Sequence, residues 1–212
     1  MDDEVLGCGG TIARHIENKD DLFVCFVAHR IYNHKFDKAK SDIERQHAES
    51  AKKILGYIES AFFDLNDERL DVCIQDIIIP LEDYIFKIKP DIVYCPFRGD
   101  NNQDHRAVFD AVRIAARPSA ATFVKKLLMY EIPSSTEQSP PLQENAFLPN
   151  YYVNITKYVD KKIEAYKCYE TEKRYYPHPR SEEAIKILAQ KRGIEIGFNY
   201  AEAFIMLRDK WE

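Results

Sequence analysis

No run of 18 apolar residues and no apolar leader occurs in these 212 residues, so the sequence predicts neither a membrane span nor a signal peptide. Cys-x-x-Cys pairs are lacking too, which argues against a zinc site built from thiolates. The five cysteines (Cys8, Cys25, Cys73, Cys95, Cys168) are odd in number and follow no disulfide-framework spacing. That usage suits a reducing compartment, and a cytoplasmic location is expected. A basic excess is also missing: 30 Lys and Arg stand against 35 Asp and Glu, a net charge of −5, and the bases are scattered. Binding to nucleic acid or another polyanion is therefore not expected.

What the chain does have is 45% hydrophobic residues without low-complexity bias, enough for a single domain over residues 1–212 with a real core. Asp2-Asp3-Glu4 is followed by a Gly-rich turn, Gly7-Cys8-Gly9-Gly10, that runs into an apolar helical pattern carried by Leu6 to Ile16 and stopped by Asn18-Lys19-Asp20-Asp21. Leu22 to Ala28 is a continuous apolar run, as in a strand buried on both faces of a parallel sheet. An amphipathic helix over about Ser41 to Leu55 ends at Gly56, and Tyr57 to Phe63 reads as a second strand turned by Asp64 to Asp67. From Asp71 to Lys87 the pattern is helical, with Pro80 expected to kink or split it.

Ile92 to Phe97 is another buried strand, and the polar loop Arg98 to Gln103 opens a helix over about Asp104 to Ala116. Alternating strands and helices of these lengths predict an α/β fold, a Rossmann-like three-layer sandwich with a mostly parallel central sheet. Ligands bind such sheets beyond the carboxyl ends of the strands, which directs attention to residues 98–106. Phe123 to Ile132 is strand-like, residues 133–150 form a rim or lid loop, and Tyr151 to Ile155 is a short strand. Residues 157–212 hold the C-terminal helices and a short strand: Thr156 is a plausible cap for a helix over 157–173, Ser181 for one over 182–192 ended by Gly193, and residues 200–208 end as a short apolar strand.

The acidic start has two readings. Acids in a first turn suit the positive end of a helix by a few tenths to about 1 kcal/mol, and a cluster of carboxylates at a helix mouth suits a metal. A dinucleotide fingerprint is poorly supported, because it needs a strand before it and a glycine where Ala13 stands. His105 read alone is a helix-start histidine, and His15, His29, His34 and His47 have no partner spacing.

Asp2-Asp3-Glu4-Val5-Leu6-Gly7-Cys8-Gly9-Gly10-Thr11-Ile12 resembles the first motif of the zinc-dependent N-deacetylases of the PIG-L/LmbE family, A-H-P-D-D-E-x-L-G-x-G-G-T. Asn102-Gln103-Asp104-His105-Arg106 resembles the second, H-x-D-H-R, and the likeness extends along nearly the whole chain. It implies Asp3 and His105 as zinc ligands, Asp2 as general base, and Asp104 as an orienting residue. Asn102 stands where the family has a His that supports the tetrahedral intermediate; its amide donates a hydrogen bond but carries no charge. Arg98, Glu131, His178 and Arg180 are candidates for the substrate-binding rim. Met1 occupies the motif's Pro slot, so the family's first strand and ligating His have no counterpart here. The resemblance leads us to expect that Met1 is an internal codon taken as a start.

The implied activity is removal of an N-acetyl group from an N-acetylated amino sugar or sugar conjugate, on a route to surface polysaccharide or glycoconjugate. Zinc is the expected cofactor, other divalent metals suiting the same ligands, and the partner is a small-molecule sugar, with a homo-oligomer left open. The alternative is an impaired family member that binds a sugar or a partner chain. A nucleotide-binding α/β protein is the third class, marked by nucleotide protection and no metal effect.

Overall fold

The computed structural model describes residues 1–31 and 35–211; His34 lies outside them. Helix α1 (Asp3–Glu17) is followed by strand β1 (Phe23–His29), helix α2 (Lys38–Leu55), strand β2 (Glu59–Asn66), helix α3 (Gln75–Ile88), strand β3 (Ile92–Pro96), helix α4 (Gln103–Ala115) and strand β4 (Lys126–Tyr130). Strand β5 (Tyr151–Asn154), helix α5 (Val159–Lys167), helix α6 (Glu182–Ile194) and strand β6 (Ala201–Asp209) complete it. The fold is mixed α/β, as expected.

The strands fall into two sheets. β1 and β2 pair in parallel; the other sheet has the order β3-β4-β6-β5, parallel between β3 and β4 and antiparallel on both sides of β6. One core, with Val5, Leu6, Leu55, Tyr166 and Phe204, joins α1, α2 and α5 to one face of the sheets. A second, with Ile77, Leu81, Ala111, Ala115 and Met129, joins α3 and α4 to the other. Among the described residues no helix is long and apolar enough to cross a membrane.

Several elements depart from their expected form. The glycines after Glu4 lie inside α1 rather than in a turn. They serve close approach: a Cβ on Gly7 would clash with the ring of Tyr130, and one on Gly10 would lie 2.7 Å from Ile155. Gly7→Ala is therefore expected to lower stability by about 1–3 kcal/mol through overpacking, although Ala gains about 1 kcal/mol in helix propensity. A lower urea midpoint with unchanged slope checks it.

β2 starts and ends later than expected because its parallel register with β1, from Phe23 opposite Glu59 to His29 opposite Asn66, draws the polar 64–66 segment into the strand. The helix expected over 71–87 starts only at Gln75, and Pro80, inside it, neither splits nor ends it. Helix α5 is shorter than 157–173 and Thr156 does not cap it; the Thr156 hydroxyl instead accepts the Tyr200 N–H at 3.3 Å. Gly193 lies within α6, where a Cβ would meet the Phe198 carbonyl oxygen at 2.5 Å, so it is there for packing rather than to stop the helix. The strand near 200–208 is the nine-residue β6, held between β4 and β5.

Candidate active site

A cleft of about 1560 Å³ opens between β1 and β3 and runs from α1 to the N-terminus of α4. Asp2, Asp3, Asn102, Asp104, His105 and Arg180 all line it. Arg98, Glu131 and His178 are not among its lining residues. Arg98 is exposed, Glu131 is gripped on both oxygens by Arg192 at 2.7 Å, and His178 accepts the backbone N–H of Arg180 at 3.1 Å.

Asp2 precedes α1 with φ 154°, a backbone conformation that L-residues rarely adopt, and its carbonyl accepts the N–H groups of Val5 and Leu6. Its carboxylate is buried and bound at 3.0 Å by Arg180, which bridges to Glu172 at 3.0 Å and donates to Ser134 Oγ at 2.7 Å. Arg30 also pairs with Glu172. Burial pushes the Asp2 carboxyl up to about 7, against the pull of the Arg180 guanidinium.

Asp3 opens toward the cleft, its side chain 32% exposed, and its Oδ2 stands 3.5 Å from His105 Nε2. Burial works against its charge, but the His105 imidazolium prevails and holds the carboxyl well below the usual range. Burial likewise opposes a charged His105, yet Asp3 and Asp100 carry that ring up to about 10. The other ring nitrogen, Nδ1, lies 3.0 Å from Asp100 Oδ1. Asp100 is almost wholly buried and also accepts from the Ser135 hydroxyl, the Thr136 hydroxyl at 2.6 Å and the Asn102 N–H at 2.9 Å.

Asn102 and Asp104 have local duties. The Asn102 side chain caps α4, accepting the Asp104 N–H at 2.8 Å, while its amide nitrogen lies 3.5 Å from His105 Nε2. Asp104 reaches back to the loop after β2 and accepts the N–H groups of Glu68 at 2.5 Å and Leu70 at 3.2 Å. It therefore fixes the carboxyl end of β2 beside the start of α4.

Whether this site suits zinc is decided by its donors. Two ligands of one tetrahedral zinc, each about 2.0–2.2 Å from the metal, stand roughly 3.3–3.5 Å apart. The Asp3 oxygen and the His105 nitrogen are 3.5 Å apart, of the right chemistry, and backed through Asp100. They fit as two ligands; among the described residues no three His, Cys, Asp or Glu are grouped to hold a metal.

Sequence reading missed Asp100, Glu172, Ser135 and Thr136. Asp100 lies in the flagged polar loop, but its partners are 35 and 36 residues away, and no local pattern marks such a link. Glu172 sits in a charged stretch that reads as solvated surface.

The chain is 29% identical over 178 residues to the uncharacterized deacetylase YaiS of Escherichia coli (strain K12), covering 80% of this chain and 86% of that protein. Among solved structures it is similar to N,N'-diacetylchitobiose deacetylase from Pyrococcus horikoshii, with a TM-score of 0.74 and 18% identity over 98% of this chain and 80% of that one. It is similar as well to GalB, the 4-carboxy-2-hydroxymuconate hydratase of Pseudomonas putida KT2440, with a TM-score of 0.76 and 23% identity over 99% of this chain and 93% of that one. Identities this low carry the fold and not the reaction. The family model for GlcNAc-PI de-N-acetylase (PIG-L) matches residues 1–116. That stretch is more than half of the chain and holds α1 through α4 and every carboxylate that lines the cleft except Glu172, and the chain belongs to the PIG-L family of de-N-acetylases.

Proposed function

We propose that this chain is a zinc-dependent N-deacetylase that removes the acetyl group from an N-acetylated amino sugar or its conjugate. The observation that carries the reading is the convergence of the neighbours Asp2 and Asp3 with His105, more than 100 residues away in sequence, in one cleft. The family supports deacetylation, and the Pyrococcus enzyme's chitobiose substrate supports an amino sugar. The five free cysteines accord with work in a reducing compartment such as the cytoplasm.

Asp3 and His105 would hold the zinc, with Asp100 fixing the imidazole by its contact with Nδ1. When bound, the metal supplies Lewis acidity toward the acyl oxygen. Asp2 supplies the proton traffic. With its carboxyl raised to about 7, it takes a proton from the attacking water near neutral pH and returns it to the departing amine nitrogen. Arg180 holds the Asp2 carboxylate in place from one side, and Asn102 offers an amide N–H beside His105.

The second reading, a binding protein without turnover, is favoured by Asn102, which carries no charge to stabilise an oxyanion. Incubation of the protein with zinc and N,N'-diacetylchitobiose separates the two. Equal release of acetate and free amine, lost in Asp3→Ala, is the expected result; binding of the sugar without acetate release would establish the second reading instead.

A further inference from the structure

Just past β4 the chain folds into a turn over residues 132–136 that touches both halves of the acidic site. Its backbone is closed on itself. Ser135 and Thr136 donate their N–H groups to the Ile132 carbonyl at 3.2 and 3.0 Å, and Ile132 donates its own to Thr136 Oγ1 at 2.9 Å. Ile132, Pro133, Ser135 and Thr136 are buried. The three consecutive hydroxyl groups of Ser134, Ser135 and Thr136 then reach two different partners.

Ser135 and Thr136 both donate to Asp100, one to each carboxylate oxygen, Thr136 at 2.6 Å. Because the Thr136 oxygen accepts the Ile132 N–H, its single proton is left for Asp100. Asp100 in turn holds His105 Nδ1 at 3.0 Å, which leaves Nε2 as the nitrogen that faces Asp3. A carboxylate whose own oxygens are fixed by hydroxyl donors orients its partner ring with it.

Ser134 serves the other half. Its Oγ accepts the Arg180 Nε–H at 2.7 Å, while Arg180 Nη1 binds the Asp2 carboxylate at 3.0 Å. Ser134 sits at φ 66°, a conformation that glycine adopts freely and other residues only at a cost. The hydroxyl accounts for a serine at this position, and the Ser134 N–H is fixed in turn by Glu137 Oε1 at 2.6 Å. Asp2 and His105 are thus each two hydrogen bonds away from neighbouring residues of one turn.

We propose that Ser134-Ser135-Thr136 is the positioning element of the site: Ser134 places the Asp2 carboxylate through Arg180, and Ser135 with Thr136 orients the His105 ring through Asp100. All three are positioning residues, each acting through another side chain. Anchoring both arms in one turn fixes the separation of two groups that lie far apart in sequence. The consequences for zinc and acetate release rest on the function proposed above; the placement itself does not.

The test reads the two arms separately, by magnetic resonance of the isotope-labelled 212-residue protein. In the metal-free parent, the His105 Nδ1–H and Arg180 Nε–H resonances are expected to be sharp and slow to exchange with water. Thr136→Val keeps the side-chain shape and removes the donor, so exchange at His105 Nδ1–H is expected to quicken about tenfold or more, with Arg180 unchanged. Thr136→Ser, which restores the hydroxyl, is expected to restore slow exchange. Ser134→Gly, which relieves the backbone, is expected to quicken Arg180 Nε–H alone. With zinc added, Thr136→Val is expected to lower affinity about 10–100-fold in chelator competition. Ser134→Gly is expected to leave that affinity unchanged and to lower kcat for acetate release about tenfold at constant KM. Ser135→Ala, which leaves Thr136 on Asp100, gives the same reading as Thr136→Val should the latter not fold. Parental exchange in Thr136→Val, a Thr136→Ser protein as impaired as Thr136→Val, both resonances quickening together, or a parent Nδ1–H too fast to be seen would each overturn the proposal. A parent that keeps both slow resonances, each lost only in its own variant, yet binds no zinc would sink the zinc reading and leave the role of the turn standing.

Discussion

Asp2→Asn is expected to lower kcat for release of acetate by roughly 10²–10⁴-fold, the usual worth of a positioned general acid–base group. The substitution is nearly isosteric, and the Asn side-chain oxygen still accepts from Arg180, so the arrangement with Glu172 and Ser134 persists. What vanishes is the capacity to carry a proton. KM is expected to change little, because the interaction removed acts in the transition state rather than on the bound sugar. Steady-state kinetics with N,N'-diacetylchitobiose and zinc, together with circular dichroism to show an intact fold, check it. An Asp2→Asn protein with the kcat of the parent would move the proton traffic to another group.

The largest effect on stability is expected at a pair that does not line the cleft. Lys162 in α5 and Glu202 in β6 form a buried pair at 2.6 Å. The ammonium group also donates to the Leu6 carbonyl at 2.8 Å, and the carboxylate accepts the N–H groups of Gly10 at 2.9 Å and Thr11 at 2.7 Å. Three elements are thereby tied at one point, with α1 as the element tied. Lys162→Met leaves the carboxylate buried without its cation, and losing one partner of such a pair costs about 3–5 kcal/mol. For a chain of this size that is a fall in Tm of roughly 6–20 °C. Lys162→Met with Glu202→Gln is expected to recover part of the loss, since the uncompensated charge is gone while a side-chain oxygen still accepts from α1. Thermal unfolding of the two variants decides the matter: a double variant no more stable than the single one would mean that the lost Lys162 packing, and not the stranded charge, sets the cost.

The α/β alternation was legible because its signals are local. Ile92 to Phe97 is an apolar run, Gly56 closes α2 at φ 95°, and Ser181 caps α6 by accepting the Ala184 N–H. The meeting of Asp3 with His105 was legible only through motif resemblance, since nothing local links residues 102 apart. Where sequence reading went astray, a distant neighbour decided the outcome. Gly7, Gly9 and Gly10 read as a turn until Tyr130 and Ile155 are seen to require their smallness inside a helix. Glu202 interrupts the apolar alternation of β6 because it faces Lys162 and the backbone of α1. Asp100, though inside the flagged loop, and Glu172 were not singled out, being defined by partners that only the folded chain supplies.

The place of β6 inside its sheet also sets an order of events on the ribosome. Strand β4 ends at Tyr130, and β6, which pairs with it, begins at Ala201. At about 5–20 residues per second, translation leaves that side of β4 without its neighbour for roughly 4–14 seconds. The waiting edge reads Lys-Leu-Leu-Met-Tyr, one charge followed by four residues suited to sticking. A nascent chain held at that stage presents the kind of surface that holdase chaperones bind, so the yield of folded protein in a cell depends on how long the ribosome dwells between codons 130 and 201.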